Sequence, residues 1–269
     1  MQLENKHIVL TGGGGGIGRA LTQELAAKGA RLSLLVRKHE QAVMPQTVRE
    51  PSGDNMLALY CDIAQAEQRT EALAAAERAF GGVDILINLA GVLDFRPFQE
   101  TDPVLLQRVL QVNLEAPMQL ARAVLPGMLV RGHGRIVNVG SMFGSIGFPF
   151  FAVYSASKFA LRGYSQALRR ELAGTGVGVT YVAPRAVATP LNPPVVHEMA
   201  AAGMMQMDQP EPVARAIVRA IEKERSEAYL GFPESLFARI NAVLPGLVDR
   251  ALSKQVPSLL HYAVGRKGA

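Results

Sequence analysis

The chain has 269 residues, enough for one large α/β domain and short for two. Its hydrophobic share of 49% supports a sizeable core, and a net charge of +5 without a dense basic run among aromatics argues against a nucleic-acid surface while admitting an anionic cofactor or a membrane surface. The lone Cys61 excludes an intrachain disulfide, the first residues run into a strand without signal-peptide organisation, and no apolar run reaches ~18 residues, so a cytoplasmic protein without a transmembrane helix is expected.

Residues 7–10 form a short apolar strand, followed by Thr11, five glycines from Gly12 to Gly16, Ile17 and Gly18. A helix over 17–28 comes next, closed by Gly29. Strand, Gly-rich turn and helix in that order suit a pyrophosphate, because the backbone can approach it and the helix start offers unpaired N–H groups. Two spacings fit, Gly13-x-Gly15-x-x-Gly18 and Gly12-x-x-x-Gly16-x-Gly18. No Lys-Ser/Thr follows, which excludes a nucleoside-triphosphate loop.

The second strand, 31–36, ends in Val36-Arg37-Lys38, with no carboxylate for a ribose 2′-hydroxyl. The planar fork of Arg37 suits a phosphate, so NADP(H) is expected ahead of NAD(H); the alternative is a solvated basic turn. The third strand, 56–61, leads to Asp62-Ile63, where the carboxylate accepts from an adenine amino group, caps a helix over 65–80, or does both. The fourth, 83–87, leads to Asn88-Leu89-Ala90-Gly91, whose small residues let the chain pass close to a ribose or nicotinamide, with Asn88 pinning strand to strand.

A helical region covers 102–130, with Pro103 in its first turn. Asn113 inside it, four residues before Pro117, predicts either a helix break with a polar side chain facing a site or a solvent-facing Asn. The fifth strand, 135–140, delivers Ser141, and a helix over 151–173 carries Tyr154 and Lys158 one turn apart on one face. An ammonium ~4–5 Å from a phenol at an effective dielectric of about 20 supplies roughly the 4 kcal/mol that would bring its pKa from ~10 to ~7. The sixth strand, 177–182, ends in PRAVATPL; a helix over 209–225 and a last strand over 227–230 follow.

Strands alternating with helices predict a Rossmann-like, doubly wound parallel sheet with helices on both faces. Ligands of such sheets sit beyond the carboxyl ends of the strands. Thr11, Arg37, Asp62, Asn88, Ser141 and Pro184 all fall there.

Over roughly residues 6–230 the chain resembles the classical short-chain dehydrogenase/reductase family. The carriers are TGGGGGIG, Asp62-Ile63, NLAG at 88–91, Asn113, Ser141, YSASK at 154–158, Pro184 and Thr189. The resemblance selects Gly12, Gly16 and Gly18 as the functional glycines. It implies Tyr154 as proton donor or acceptor, Lys158 as the group that lowers its pKa and holds the nicotinamide ribose, Ser141 on the reacting oxygen, and Asn113 seating a relay water. It further implies cofactor contacts from Thr11, Ile17, Arg37, Asp62, Ile63, Asn88, Ala90, Pro184, Val187 and Thr189, and no metal. Departures are Leu89 for a common Asn, Gly15 where some NADP-preferring members are basic, and Arg185 after Pro184 where Gly is usual. Arg185 either forms outward salt bridges or alters the substrate side.

Two stretches are expected to flank the substrate: 143–151, with Phe148, Phe150 and Phe151, and 192–209, with Met199, Met204, Met205 and Met207. Adaptable Met side chains suit an apolar ketone or alcohol, and equally suit packing on the domain or a second subunit. The expected organisation is a catalytic domain over 1–231 and a helical extension over 232–269. That extension closes over the substrate, docks on a partner subunit in a homodimer or tetramer, or lies on an anionic membrane. The leading function is an NADP(H)-dependent carbonyl reductase or alcohol dehydrogenase; the alternatives are a dinucleotide-binding redox sensor without turnover and a lyase or epimerase on the same scaffold.

Overall fold

The computed structural model describes residues 1–37 and 55–264; Lys38 lies outside them. The chain begins with β1 (His7–Thr11), α1 (Gly16–Ala26), β2 (Arg31–Val36), β3 (Met56–Tyr60), α2 (Ala66–Phe80) and β4 (Ile85–Asn88). It continues through α3 (Pro103–Leu110), α4 (Ala116–Arg131), β5 (Gly134–Val139), α5 (Ala152–Glu171) and β6 (Val177–Pro184). Then come the short β7 (Ala186–Val187), α6 (Pro194–Ala201), β8 (Met207–Asp208), α7 (Pro210–Glu222) and β9 (Glu227–Leu230). Three short helices close the described chain: α8 (Glu234–Val243), α9 (Pro245–Ser253) and α10 (Val256–Ala263).

The main sheet has the order β3-β2-β1-β4-β5-β6-β9, and every neighbouring pair is parallel. Its order reverses between β1 and β4, where Thr11 stands opposite Asn88 in register. That reversal leaves a crevice at the carboxyl edge, because the connections from the two strands leave to opposite sides.

Strand alternation divides the core. Ile8, Leu10, Leu32, Leu34, Ile85 and Ile87 face α1 and α7, where Leu21, Leu25, Val213 and Ile217 cover them. Val9, Leu35, Leu86 and Ile136 face the other way, onto Leu73, Leu120, Val124 and Leu168. With both faces covered, the strands read as near-continuous apolar runs.

A buried polar relay crosses this core. Asn88 Nδ2 donates to Asn138 Oδ1 at 2.9 Å, Asn138 Nδ2 to Ser165 Oγ at 2.9 Å, and Ser165 Oγ to the Leu161 carbonyl at 2.7 Å. It ties β4 to β5 and β5 to α5, and Asn138 and Ser165 are fully buried. Such groups must be bonded to be tolerated there, which fixes their mutual placement.

The expected helix over 102–130 is interrupted. A π-helical turn, Gln111–Glu115, separates α3 from α4, and the Ala116 N–H reaches back five residues to the Gln111 carbonyl. Pro117 has no N–H to return to the Asn113 carbonyl four residues earlier, so the regular ladder cannot continue. Among the described residues, no helix is long and apolar enough to cross a membrane.

Candidate active site

The glycine turn is built by close approach. Gly12 has φ +72°, and a Cβ there would lie 2.9 Å from the Ala90 Cα. A Cβ at Gly16 would strike the Thr189 methyl at 2.4 Å, and one at Gly18 the Gly12 carbonyl oxygen at 2.0 Å, whereas Gly13 and Gly15 would meet nothing nearer than 3.3 Å. Packing therefore demands glycine at the positions of the longer-gap spacing. Helix α1 begins beside this turn with no side-chain cap and no acidic residue in its first turn. Its first N–H groups and positive dipole end are left for an anion, so the residues present fit a dinucleotide pyrophosphate.

The turn opens onto a cavity of about 910 Å³ lined by Gly12, Gly16, Ile17, Gly18, Arg37, Asp62, Ile63, Ala90 and Thr189. Arg19 and Arg108 border it too; neither was singled out from the sequence. Arg19 Nη1 donates to the Gly14 carbonyl at 3.3 Å. Arg108 Nη2 bridges both Asp62 oxygens at 2.9 Å. Burial alone would raise the Asp62 carboxyl, but hydrogen bonds from Arg108 and the Ala64 N–H, with the charges of Arg108 and Arg37, hold it below the usual range. Asp62 does not cap the following helix, which starts at Ala66 without a side-chain cap; its Oδ1 accepts instead from the Ala64 N–H at 3.0 Å. Cys61 lies in the cavity wall, and burial pushes its thiol up to about 11, so it stays protonated.

Thr11 and Asn88 are buried just behind that wall. Thr11 Oγ1 accepts from the N–H groups of Leu89 and Ala90 at 3.0 and 3.1 Å, which turns the chain after β4 across the crevice. The Asn88 side chain belongs to the polar relay through Asn138.

A second cavity, of about 400 Å³, shares Ile17, Leu89, Gly91, Leu93, Thr189 and Leu191 with the first, so the two form one cleft. Ser141, Tyr154, Lys158, Pro184 and Val187 line it. Ser141 sits two residues past the end of β5, in extended backbone, and its Oγ accepts from the Phe143 N–H at 3.1 Å. Lys158 Nζ lies 5.7 Å from the Tyr154 ring centroid and donates to the Val139 carbonyl at 3.1 Å.

The electrostatics differ from the sequence expectation. Tyr154 is pushed up to about 12 by burial, partly offset by a hydrogen bond with Ser141. Burial likewise brings Lys158 down to about 8. Two groups removed from water together each lose more from desolvation than the ammonium returns to the phenol. The phenol is therefore neutral at neutral pH, the form that gives a proton.

Asn113 is fully buried, which rules out the solvent-facing alternative. Its Oδ1 accepts from the Val92 N–H at 2.8 Å, and its Nδ2 donates to the Val92 carbonyl at 2.8 Å and to Ser157 Oγ at 3.0 Å. Ser157 Oγ donates in turn to the Tyr154 carbonyl at 2.7 Å. Asn113 thus clamps the chain after β4 to the helix that carries the phenol.

Tyr181, fully buried, is a third residue not anticipated. Its hydroxyl accepts from the Ser141 N–H at 3.5 Å and donates to the Ser141 carbonyl at 3.3 Å. A Cβ at Gly140 or Gly144 would fall within 2.4 Å of that hydroxyl. The two glycines flanking Ser141 were the available signal, though they do not name their partner.

The substrate-side walls are mostly apolar. Phe143, Phe148 and Phe151 line one side, with Phe143 and Phe148 stacked at 4.9 Å between ring centroids. Met204 and Met205 line another, while Met199 is fully buried and Met207 belongs to β8. Ile240, Leu247, Val248 and Leu252 of the last helices complete the far wall. Arg185 makes salt bridges to Asp208 at 2.7 Å and Glu234 at 3.2 Å, while still bordering the cavity.

A family model described as short chain dehydrogenase matches residues 6–200. The ketoacyl reductase HetN of a Nostoc species is 32% identical over 254 residues, 92% of this chain and 88% of that protein. A short-chain dehydrogenase from Burkholderia cenocepacia, solved in complex with NADP, superimposes with a TM-score of 0.78 at 27% identity, over 94% of this chain and 99% of that one. A short-chain dehydrogenase/reductase from Burkholderia phymatum, solved with NAD, gives a TM-score of 0.82 at 25% identity, over 92% and 96%.

Proposed function

The chain belongs to the short-chain dehydrogenase/reductase family, and from that premise we propose that it is an NADP(H)-dependent reductase of an apolar carbonyl compound, with Ser141, Tyr154 and Lys158 as its catalytic residues. One observation carries the reading. These three buried polar side chains line an apolar cavity that joins the glycine-turn cavity at Ile17, Gly91 and Thr189. A redox sensor needs the glycine turn but not a buried phenol, ammonium and hydroxyl beside it.

When bound, the nicotinamide dinucleotide supplies the hydride that the carbonyl carbon receives. Tyr154 Oη gives its proton to the substrate oxygen as negative charge builds there. A phenol held near 12 still gives it readily, since an alkoxide is far more basic. Ser141 Oγ donates a hydrogen bond to the same oxygen, and the Lys158 ammonium compensates the phenolate left behind. Lys158 also holds the nicotinamide ribose, while Asn113 keeps the post-β4 chain and the phenol-bearing helix in register.

The glycine turn and the start of α1 receive the pyrophosphate. Asp62 and Ile63 would border the adenine, Ala90 the ribose, and Pro184, Val187 and Thr189 the nicotinamide. The preference for the phosphorylated cofactor is supported by two guanidinium groups, Arg37 and Arg19, that border the cavity, and by the commitment of Asp62 to Arg108. Exposed apolar side chains on α3 and α4, Val104, Met118 and Val130, support a homodimer or tetramer.

NADPH absorbance followed with a panel of ketones tests the reading. Apolar ketones are expected to turn over faster than small polar hydroxy acids or their keto forms. Tyr154→Phe is expected to lose at least ~100-fold in kcat with dinucleotide binding retained. Turnover unchanged by that substitution would overturn the proposal.

A further inference from the structure

The inner faces of the three helices after Gly231 are accounted for. Ala238 and Leu259 are buried, Val248 and Leu252 pack with Met142 and Tyr181, and Asn241 Nδ2 donates to the Ser145 carbonyl at 2.8 Å. The corner between α8 and α9 is different. Ala242, Val243, Leu244, Pro245, Gly246 and Leu247 are six consecutive exposed residues with neither a charge nor a polar side chain. Val243 is 77% exposed, and Leu244 and Leu247 are each 58% exposed. A contiguous apolar tip of this kind gains nothing from water and marks a contact.

Cations bracket the tip. Arg239 stands one turn before Val243, Arg250 three residues after Leu247, and Lys254 one turn further on; all three are exposed. Of the two carboxylates in this segment, Glu234 is bonded to Arg185 at 3.2 Å, which leaves Asp249 as the acidic group beside the tip. Over residues 232–269 the sequence carries five Lys and Arg against two Asp and Glu. An apolar tip with a cationic collar is the chemistry of a segment resting on an anionic bilayer, the tip at the acyl boundary and the cations among the phosphates. A two-fold contact centred on the tip would instead bring the cationic collars of both copies to one interface.

The corner is also a pocket wall. Leu247 and Phe237, both substantially exposed, line the apolar cavity that holds Tyr154. We propose that residues 242–247, collared by Arg239 and Arg250, dock the protein on an anionic lipid bilayer and set the mouth of the apolar cavity at its surface, so that the substrate enters from the lipid. Docking stands by itself; delivery of a substrate rests on the reductase reading above.

The test is sedimentation of the full chain with vesicles of phosphatidylcholine, with and without phosphatidylglycerol. The phosphatidylglycerol vesicles are expected to carry the protein down, less so as salt is raised. Val243→Ser with Leu244→Asp is expected to weaken binding at least ~10-fold, and Arg239→Gln with Arg250→Gln to abolish the preference for phosphatidylglycerol. Both variants alter exposed positions away from the chemistry, so turnover of a water-soluble ketone is expected to stay within about two-fold of wild type and the melting temperature within about 3 °C. A wild-type protein that stays in the supernatant, equal binding by the tip variant, or a tip variant of smaller mass without lipid, the mark of a subunit contact, would each overturn docking. With a long-chain ketone carried in vesicles, the wild type is expected to outpace the tip variant. Equal rates there, with binding intact, would overturn delivery alone, whereas no turnover in any assay would sink the reductase reading and leave docking standing.

Discussion

Arg185 grips both carboxylate oxygens of Asp208, Nε to Oδ2 at 2.9 Å and Nη2 to Oδ1 at 2.7 Å. Its third nitrogen reaches Glu234 and the Phe232 carbonyl. One guanidinium at the end of β6 thereby ties the strand after the substrate-flanking helix to the first of the closing helices. Of the two alternatives raised by this departure from Pro-Gly, both are met: Arg185 is salt-bridged to Asp208 and Glu234, and it also lines the substrate cavity.

Arg185→Gly should release that tie. Two partly buried carboxylates lose their partner, a cost of about 1–3 kcal/mol. The melting temperature is expected to fall by roughly 2–4 °C per kcal/mol for a chain of this size. KM for an apolar ketone should rise more than kcat changes, because the walls of the cavity loosen while the phenol stays in place. Calorimetry with steady-state kinetics checks both.

Tyr181→Phe keeps the buried ring and removes the hydroxyl that brackets the Ser141 peptide. The loss is about 0.5–1.5 kcal/mol of stability. A hydroxyl displaced by a fraction of an ångström at the reacting oxygen costs far more in rate, so kcat is expected to fall about 10-fold with KM nearly unchanged. A KM effect without a kcat effect would count against a positioning role.

Lys158 predicts a pH dependence with a definite sign. Burial brings its pKa from 10.5 in the unfolded chain to about 8 in the fold. Between those values the unfolded state binds more protons, so stability rises as pH climbs from about 8 toward 10.5 and is lost as pH falls through 8. Tyr154, moved from 10.0 to about 12, keeps its stabilising share below pH 10 and loses it as pH rises through 12. In the window from about 8 to 10 the lysine therefore governs, and Lys158→Met should flatten the rise in melting temperature. In the same window the wild type should lose affinity for the anionic dinucleotide as the ammonium discharges. Titration of dinucleotide binding by fluorescence quenching reads that directly.

Arg37→Ala should separate the two cofactors. A charge-assisted hydrogen bond to a phosphate is worth ~1.5–3 kcal/mol, so KM for NADPH should rise roughly 10- to 100-fold. KM for NADH should change by less than about 3-fold, since no phosphate is lost. Equal effects on both would assign the 2′-phosphate elsewhere, with Arg19 the next guanidinium on the cavity wall.

What the sequence made legible was local. Apolar runs and turn residues located the seven strands of the main sheet to within a residue or two, β2 and β9 at both ends, but not the short β7 and β8. Tyr154 and Lys158 share a face because a helix puts them there, whatever surrounds them. Asn113 and Pro117 announced a break in the helix that the π-turn supplies. What stayed hidden depends on contacts between distant residues. Arg108 meets Asp62 across 46 positions and Tyr181 meets Ser141 across 40, and no periodicity encodes either. The ionisation of the site was hidden for a related reason. Pairwise attraction follows from spacing along a helix, but the desolvation that outweighs it depends on everything packed above.

The relay from Asn88 through Asn138 to Ser165 fastens the phenol-bearing helix three turns beyond Tyr154, about 16 Å along the axis at 1.5 Å per residue. Held at that depth, the helix can neither roll about its axis nor creep along it without stranding an amide in the dry interior. The reaction centre thus takes its alignment from a datum point sunk in the middle of the molecule, and an error introduced at Ser165 would be read out as misaim at the mouth of the cleft.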